Sequence, residues 1–109
     1  MIHMALGQVS SAGGGVRVTT TDRGLPTSIT IDAAELRRAP DDLAREILLL
    51  SRVSAMRAQV RMRRALTSQG VADPVIGTLG LATEDELAEA EDQLRGADEA
   101  APDSWLRPV

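Results

Sequence analysis

The residues best suited to chemistry in this 109-residue chain are arginines. Arg57, Arg61 and Arg64 recur at spacings of four and three, which places them on one stripe of a helix, and Arg63 lies beside them. A row of guanidinium groups can contact the phosphates of a nucleic acid or the carboxylates of an acidic protein. We therefore expect Arg57, Arg61, Arg63 and Arg64 to form a contact surface, called here the arginine surface.

Side chains that enzymes use as nucleophiles or bases are scarce. The chain has no cysteine and a single histidine, His3. We expect His3 to be inert because it lies at a terminus that should be frayed, so the serines have no suitable histidine to activate them, and lysine is also absent. The run Gly13-Gly14-Gly15 precedes a predicted strand instead of opening a helix, so it suits a flexible linker better than a phosphate-binding loop. We predict a protein that is not an enzyme, with no catalytic residue, metal site, cofactor or small-molecule substrate.

The charges are unevenly divided along the chain, although the total is −4. Residues 1–72 carry ten arginines against six acids, net +4, and residues 73–109 carry two arginines against ten acids, net −8. Two interpretations of the arginine surface follow. It could bind a polyanion, or it could be a solvated face neutralised by the chain's own acidic segment. The total charge favours the second interpretation. The acids of suitable sign are Glu84, Glu86, Glu89, Glu91 and Asp92.

The elements that must position these residues are a β-hairpin and a long helix. Alternating apolar and polar residues predict strands over 16–21 and 27–32, around a turn that contains Gly24. Pro40 and two acids then open a helix that should run to about Ser68 and end at Gly70. The first half of that helix is apolar nearly all round, which indicates burial on more than one side and hence a homodimer. The predicted core and dimer surface consists of Val16, Val18, Ile29, Ile31, Leu43, Ile47, Leu50 and Val53.

The predicted fold class is α+β: a β-hairpin, one long α-helix and a short acidic C-terminal helix. Thr83 and Glu86 form the sequence of a capping box, so the acidic helix should begin there. The chain then divides into a flexible lead (1–15), a hairpin-helix domain (16–69), a linker (70–82), an acidic helix (83–95) and a disordered tail (96–109). In that tail the only aromatic residue, Trp105, could act as an anchor.

The location predicted from the sequence is cytoplasmic. No stretch approaches the roughly 20 apolar residues that cross a bilayer, and the first residues lack the features of a signal peptide. We expect no membrane partner.

The order of these elements resembles that of the YbaB/EbfC family. The resemblance lies in Gly15-Val16-Arg17-Val18, in Ile29-Thr30-Ile31-Asp32, in Leu36 and in the helix from Asp42-Leu43 onward, and it covers residues 13–68. It implies an intertwined dimer joined through the hairpin sheets, and a nucleoid-associated protein that binds DNA.

A second resemblance is to the EspD/EspH-like proteins associated with ESX (type VII) secretion. It lies in two blocks, Leu43-Ala44-Arg45-Glu46-Ile47-Leu48 with Ser51 and Ser54, and the segment from Gly80 to Glu91. It implies an accessory or chaperone-like factor that binds secretion substrates or secretion-system proteins and could itself be exported. Our leading expectation is a homodimeric protein-interaction factor of this kind. The alternative is a YbaB/EbfC-type DNA-binding protein.

Overall fold

The computed structural model describes the backbone of residues 6–106 and the side chains of residues 7–96. Three strands, β1 (Leu6–Ser10), β2 (Val16–Thr21) and β3 (Pro26–Ile31), form an antiparallel sheet in the order β1-β2-β3. A 3-10 helix (Ala33–Arg37) follows, and then the helices α1 (Pro40–Ser68), α2 (Asp73–Gly77) and α3 (Glu84–Leu106). The α+β class is as predicted.

The hairpin of β2 and β3 forms where the alternating pattern placed it. Val16 lies opposite Ile31 and Val18 opposite Ile29, and the register shifts between Thr19 and Thr20. Gly24 takes a φ of 85° in the turn, a value that an L side chain rarely adopts. The turn chemistry and the two apolar pairs therefore set this register together.

The prediction of a flexible lead over residues 1–15 is wrong for β1. Leu6–Ser10 pair with β2, from Leu6 opposite Thr21 to Ser10 opposite Arg17. The Ser11 hydroxyl accepts a hydrogen bond from the Val16 N–H at 3.1 Å and closes the connection. The segment has little strand signal of its own, so its pairing partner determines its conformation. Residues 1–5, with His3, lie outside the described part of the chain.

Helix α1 packs mainly on β1 and β2. The core is an apolar cluster built from the sheet, α1 and α3. Helix α3 contributes two residues to it. Its members are Val9, Val16, Val18, Leu50, Val53, Ala90 and Leu94, with Ile31, Leu43 and Ile47 among the partly buried residues around it. At its end, α1 closes as predicted: Gly70 has a φ of 85°, and the Val71 N–H donates to the Leu66 carbonyl at 3.0 Å.

Strand β1 and helix α1 approach each other closely. A Cβ atom built on Gly7 would lie 1.5 Å from the Ser54 carbonyl oxygen, so only glycine fits there. Next to this contact, the Thr20 hydroxyl donates to the Ser54 hydroxyl at 2.8 Å, and both residues are fully buried. The hydrogen bond satisfies two polar groups that would otherwise destabilise the core.

The C-terminal part of the chain is more ordered than its composition predicted. The expected linker over 70–82 contains α2, in which Ile76 is buried. Helix α3 begins at the capping box and continues past the predicted end at Arg95 to Leu106, so the predicted disordered tail is helical up to that residue. Ala97, Glu99, Ala100 and Ala101 follow Gly96 and have good helix propensity, which favours continuation of the helix past the glycine. The Trp105 side chain and residues 107–109 lie outside what is described.

Within the described residues, no helix combines the length and the apolar character that a bilayer crossing requires.

Candidate functional site

Three of the four residues of the arginine surface are bound by the chain's own C-terminal part. The Arg57 Nε and Nη2 atoms donate to Glu91 Oε2 at 3.0 and 2.7 Å, and Nη1 donates to the Gln8 carbonyl at 3.1 Å. Arg64 forms an ion pair with Glu84. Arg63 donates to the backbone carbonyls of Leu81 and Ala82, at 2.8 and 3.2 Å.

The fourth residue, Arg61, is exposed, and its side chain forms no ion pair or hydrogen bond with any described residue. Arg52 is exposed on α1 as well. The structure therefore separates the predicted surface into three arginines that contact α3 or the segment leading into it, and one that faces solvent.

The acids of α3 have three different roles. Glu84 and Glu91 pair with α1, whereas Asp92 pairs with Arg95 of the same helix. Glu86 is the second half of the capping box: its Oε1 accepts from the Thr83 N–H at 3.0 Å, and its own N–H donates to Thr83 Oγ1 at 3.1 Å.

The pKa of Glu86 is lowered from its ordinary value, chiefly by the hydrogen bond from the Thr83 backbone. The Thr83 side chain and the charges of Arg63 and Arg52 lower it further. Helix α3 therefore begins within the positive field of α1.

A glutamine that the sequence did not single out contributes to the same contact. Gln59 accepts a hydrogen bond from the Ala82 N–H at 2.9 Å through Oε1, and its Nε2 donates to the Asp22 carbonyl. Together with Arg63, it satisfies the N–H of Ala82 and two carbonyls just before α3. No spacing rule predicts this role, because it depends on where a distant loop crosses α1.

The predicted core and dimer surface divides into buried and exposed members. Val16, Val18, Leu50 and Val53 are fully buried within one chain, so they are core residues and not a free surface. The partly buried members, Ile31, Leu43 and Ile47, lie at the border of the cluster.

The eighth member, Ile29, is 43% exposed. Its side chain is on the same face of the sheet as Val18, because residues opposite each other in an antiparallel pair point to the same face. Val18 is covered by α1 and Ile29 is not, since α1 packs mainly on the other two strands. Strand β3 has β2 on one side and no described strand on the other.

A half-buried ion pair, in which the carboxylate is buried and the guanidinium is partly exposed, joins the end of the 3-10 helix to α1. The sequence did not predict it. Arg38 Nη1 lies 2.6 Å from Glu46 Oε1 and 3.1 Å from Glu35 Oε1. Glu46 is 5% exposed. The hydrogen bond with Glu46 raises the pKa of Arg38, so this guanidinium stays charged. Its position inside the fold indicates a structural role.

Among the described residues, no three histidine, cysteine, aspartate or glutamate side chains come together in a way that could hold a metal ion. No family model, curated protein or solved structure matches the chain.

Proposed function

We propose that this protein is a non-enzymatic protein-interaction factor that forms a homodimer through β3. The observation that supports this most strongly is the uncovered edge of the sheet, where Ile29 is 43% exposed on the face that α1 covers elsewhere. An edge strand with an exposed apolar residue is a template for pairing with another strand.

Two copies that pair their β3 strands antiparallel would form one continuous sheet about a two-fold axis. Such an interface uses the same patch on both subunits, so each Ile29 would lie near its counterpart. Exposed apolar residues in the turn before β3 and in the 3-10 helix after it, Leu25 and Leu36, would extend the contact at both ends of the strand. The YbaB/EbfC resemblance supports this arrangement because it implies dimers joined through the hairpin sheets.

Type VII secretion is the setting we propose for this interaction, as an accessory or chaperone-like role. The support comes from the two blocks that resemble the EspD/EspH-like proteins. Leu50 and Val53 lie within the span of the first block, residues 43–54, and belong to the same apolar cluster as Ala90 of the second. The two blocks therefore pack together as parts of one folded unit.

DNA binding has less support. Arg57, Arg63 and Arg64 already contact α3 or the segment before it, and the total charge is −4. A phosphate backbone would have to compete with these contacts and overcome the negative field of α3.

The proposed dimer is tested by Ile29→Lys. An inward-pointing charge on an edge strand is a natural means of preventing strand pairing. We expect the wild-type protein to scatter light as a species of twice 11.6 kDa and the variant as a species of 11.6 kDa. The matched control is Leu79→Lys, which places the same charge on another exposed apolar residue, outside the sheet, and should remain a dimer.

The proposed dimer would be contradicted if the wild-type protein stays monomeric at concentrations up to about 100 μM, since even a dimer with a weak dissociation constant would form there. Affinity purification from the native cell then tests the setting. Recovery of secretion substrates or secretion-system proteins supports the proposal. Recovery of DNA that stays bound through washes at about 0.15 M salt supports the alternative instead.

A further inference from the structure

We infer that the face of α1 now covered by α3 is a binding groove for an acidic amphipathic helix of a partner protein, and that α3 is its intramolecular occupant. This inference rests on the proposed role in protein interaction and adds the chemistry of the partner. We call this face the α3 groove. Its lining residues are Leu50, Val53, Arg57, Gln59, Arg63 and Arg64.

One end of the α3 groove recognises peptide backbone. Gln59 accepts from the Ala82 N–H, and Arg63 donates to the carbonyls of Leu81 and Ala82. None of these three bonds depends on the side chains of the occupant. A different peptide with the same path could therefore make all of them.

Along its length the α3 groove recognises carboxylates at a fixed spacing. Glu84 meets Arg64 and Glu91 meets Arg57, so acids seven residues apart on α3 face arginines seven residues apart on α1. Seven residues correspond to two helical turns, which places both carboxylates on one face. An antiparallel helix with acids at this spacing is the matching ligand.

The other end of the α3 groove is apolar. Ala90 and Leu94 are buried in the cluster that contains Leu50 and Val53, and Leu87 packs at its border. A ligand therefore needs small and large apolar residues at helical spacing as well as acids. This requirement favours a protein helix over a nucleic acid, which has neither an apolar stripe nor the backbone N–H that Gln59 binds.

Few of the contacts that hold α3 are buried. The ion pair of Arg64 with Glu84 leaves the two side chains 64% and 62% exposed, and pairs in water contribute little. Among residues 84–96, only Ala90 and Leu94 are buried. The connection to α3 includes two exposed glycines, Gly77 and Gly80. Elements with so few buried contacts open more readily than the rest of a fold.

The test is the binding of a labelled helix peptide to the full-length chain. The probe is a fluorescein-labelled peptide with the sequence of residues 80–96, followed by fluorescence anisotropy. In the wild-type protein the tethered α3 competes with it. In Glu84→Arg/Glu91→Arg the protein's own α3 is repelled from Arg57 and Arg64, so the peptide should bind at least tenfold more tightly.

The matched control is Asp85→Arg/Glu89→Arg, which makes the same change of charge at two exposed acids of α3 that contact no arginine of α1. This variant should bind the peptide as the wild type does. Circular dichroism of each variant establishes that it is folded before binding is compared.

Equal peptide affinity for the two variants, or no binding to either folded variant, would overturn the inference. Binding of a 20-base-pair DNA duplex to Glu84→Arg/Glu91→Arg without binding of the peptide would overturn it too, because the groove would then be selective for phosphate. Light scattering on the same samples reports the dimer separately. The proposed homodimer and this inference can therefore fail independently.

Discussion

At the scale of single residues, the contact that we expect to matter most for stability is the ion pair of Arg38 with Glu46. The Glu46 side chain is 6% exposed. A buried carboxylate that loses its cation is strongly destabilising. Since the Arg38 side chain is itself 28% exposed, we expect Arg38→Met to lower the free energy of unfolding by about 2 kcal/mol in urea titrations, the scale of a hydrogen bond between charged groups. The matched control is Arg45→Met, whose ion pair with Asp42 is exposed and should contribute at most about 0.5 kcal/mol.

The double variant Arg38→Met/Glu46→Leu distinguishes this explanation from a loss of packing. Replacing both charges with apolar groups removes the buried carboxylate that Arg38 no longer neutralises, so much of the stability should return. If the double variant is no more stable than Arg38→Met, the charge of Glu46 is not the cause.

The second residue-scale prediction concerns the capping box and pH. Hydrogen bonding to Thr83 lowers the pKa of Glu86 in the folded protein below its ordinary value of 4.5. A depressed folded pKa means that the charged form stabilises the fold above pH 4.5 and that this contribution is lost as the pH falls through the lowered value. We expect Glu86→Gln to be less stable than the wild type at pH 7 and to approach it at about pH 3, well below the ordinary pKa of a glutamate.

Urea midpoints at the two pH values measure this difference, since only the wild type has the titrating group at position 86. A gap between the two proteins that is as wide at the acidic pH as at pH 7 would show that the Glu86 charge does not stabilise the helix start.

At the scale of elements, the close approach of β1 to α1 is the strictest requirement. A Cβ atom at Gly7 would overlap the Ser54 backbone. Because neither backbone can move without disturbing the sheet, we expect Gly7→Ala to lower the free energy of unfolding by at least about 2 kcal/mol, as overpacking of a core does. Gly13→Ala is the control: a Cβ atom added at Gly13 would have no other atom within 4 Å, so the stability should change by less than about 1 kcal/mol.

If Gly7→Ala is as stable as the wild type, β1 does not pack directly against the Ser54 backbone of α1. Thermal and urea unfolding of the two glycine variants side by side would decide this.

The elements also show how far the sequence can predict this fold. The hairpin, α1 with its Gly70 end and the capping box of α3 were predictable, because short-range patterns encode each of them. Strand β1 was not, because it depends on pairing with β2. The arginine stripe was predictable from its spacing, but the ion pairs that Glu84 and Glu91 form with it depend on tertiary structure. Leu50 belongs to the predicted core and dimer surface, and it is fully buried in one chain. Leu50→Asp would therefore test folding and not dimerisation.

At the scale of the whole molecule, the two oppositely charged halves of the chain fold onto each other. The basic half, residues 1–72, supplies α1, and the acidic half supplies α3. Because Ala90 and Leu94 are part of the apolar core, deleting residues 83–109 would uncover apolar surface as well as arginines. A change of charge alone is the cleaner way to ask whether α3 masks the arginine surface.

We expect Glu84→Gln/Glu91→Gln to elute from a heparin column at higher salt than the wild type, since it frees Arg57 and Arg64 for a polyanion. The control Asp85→Asn/Glu89→Gln changes the net charge equally and leaves both ion pairs in place. If masking operates, the first variant should be retained clearly longer than the second. Equal retention would mean that net charge alone governs binding, and that α3 covers these arginines without restricting their access to a polyanion.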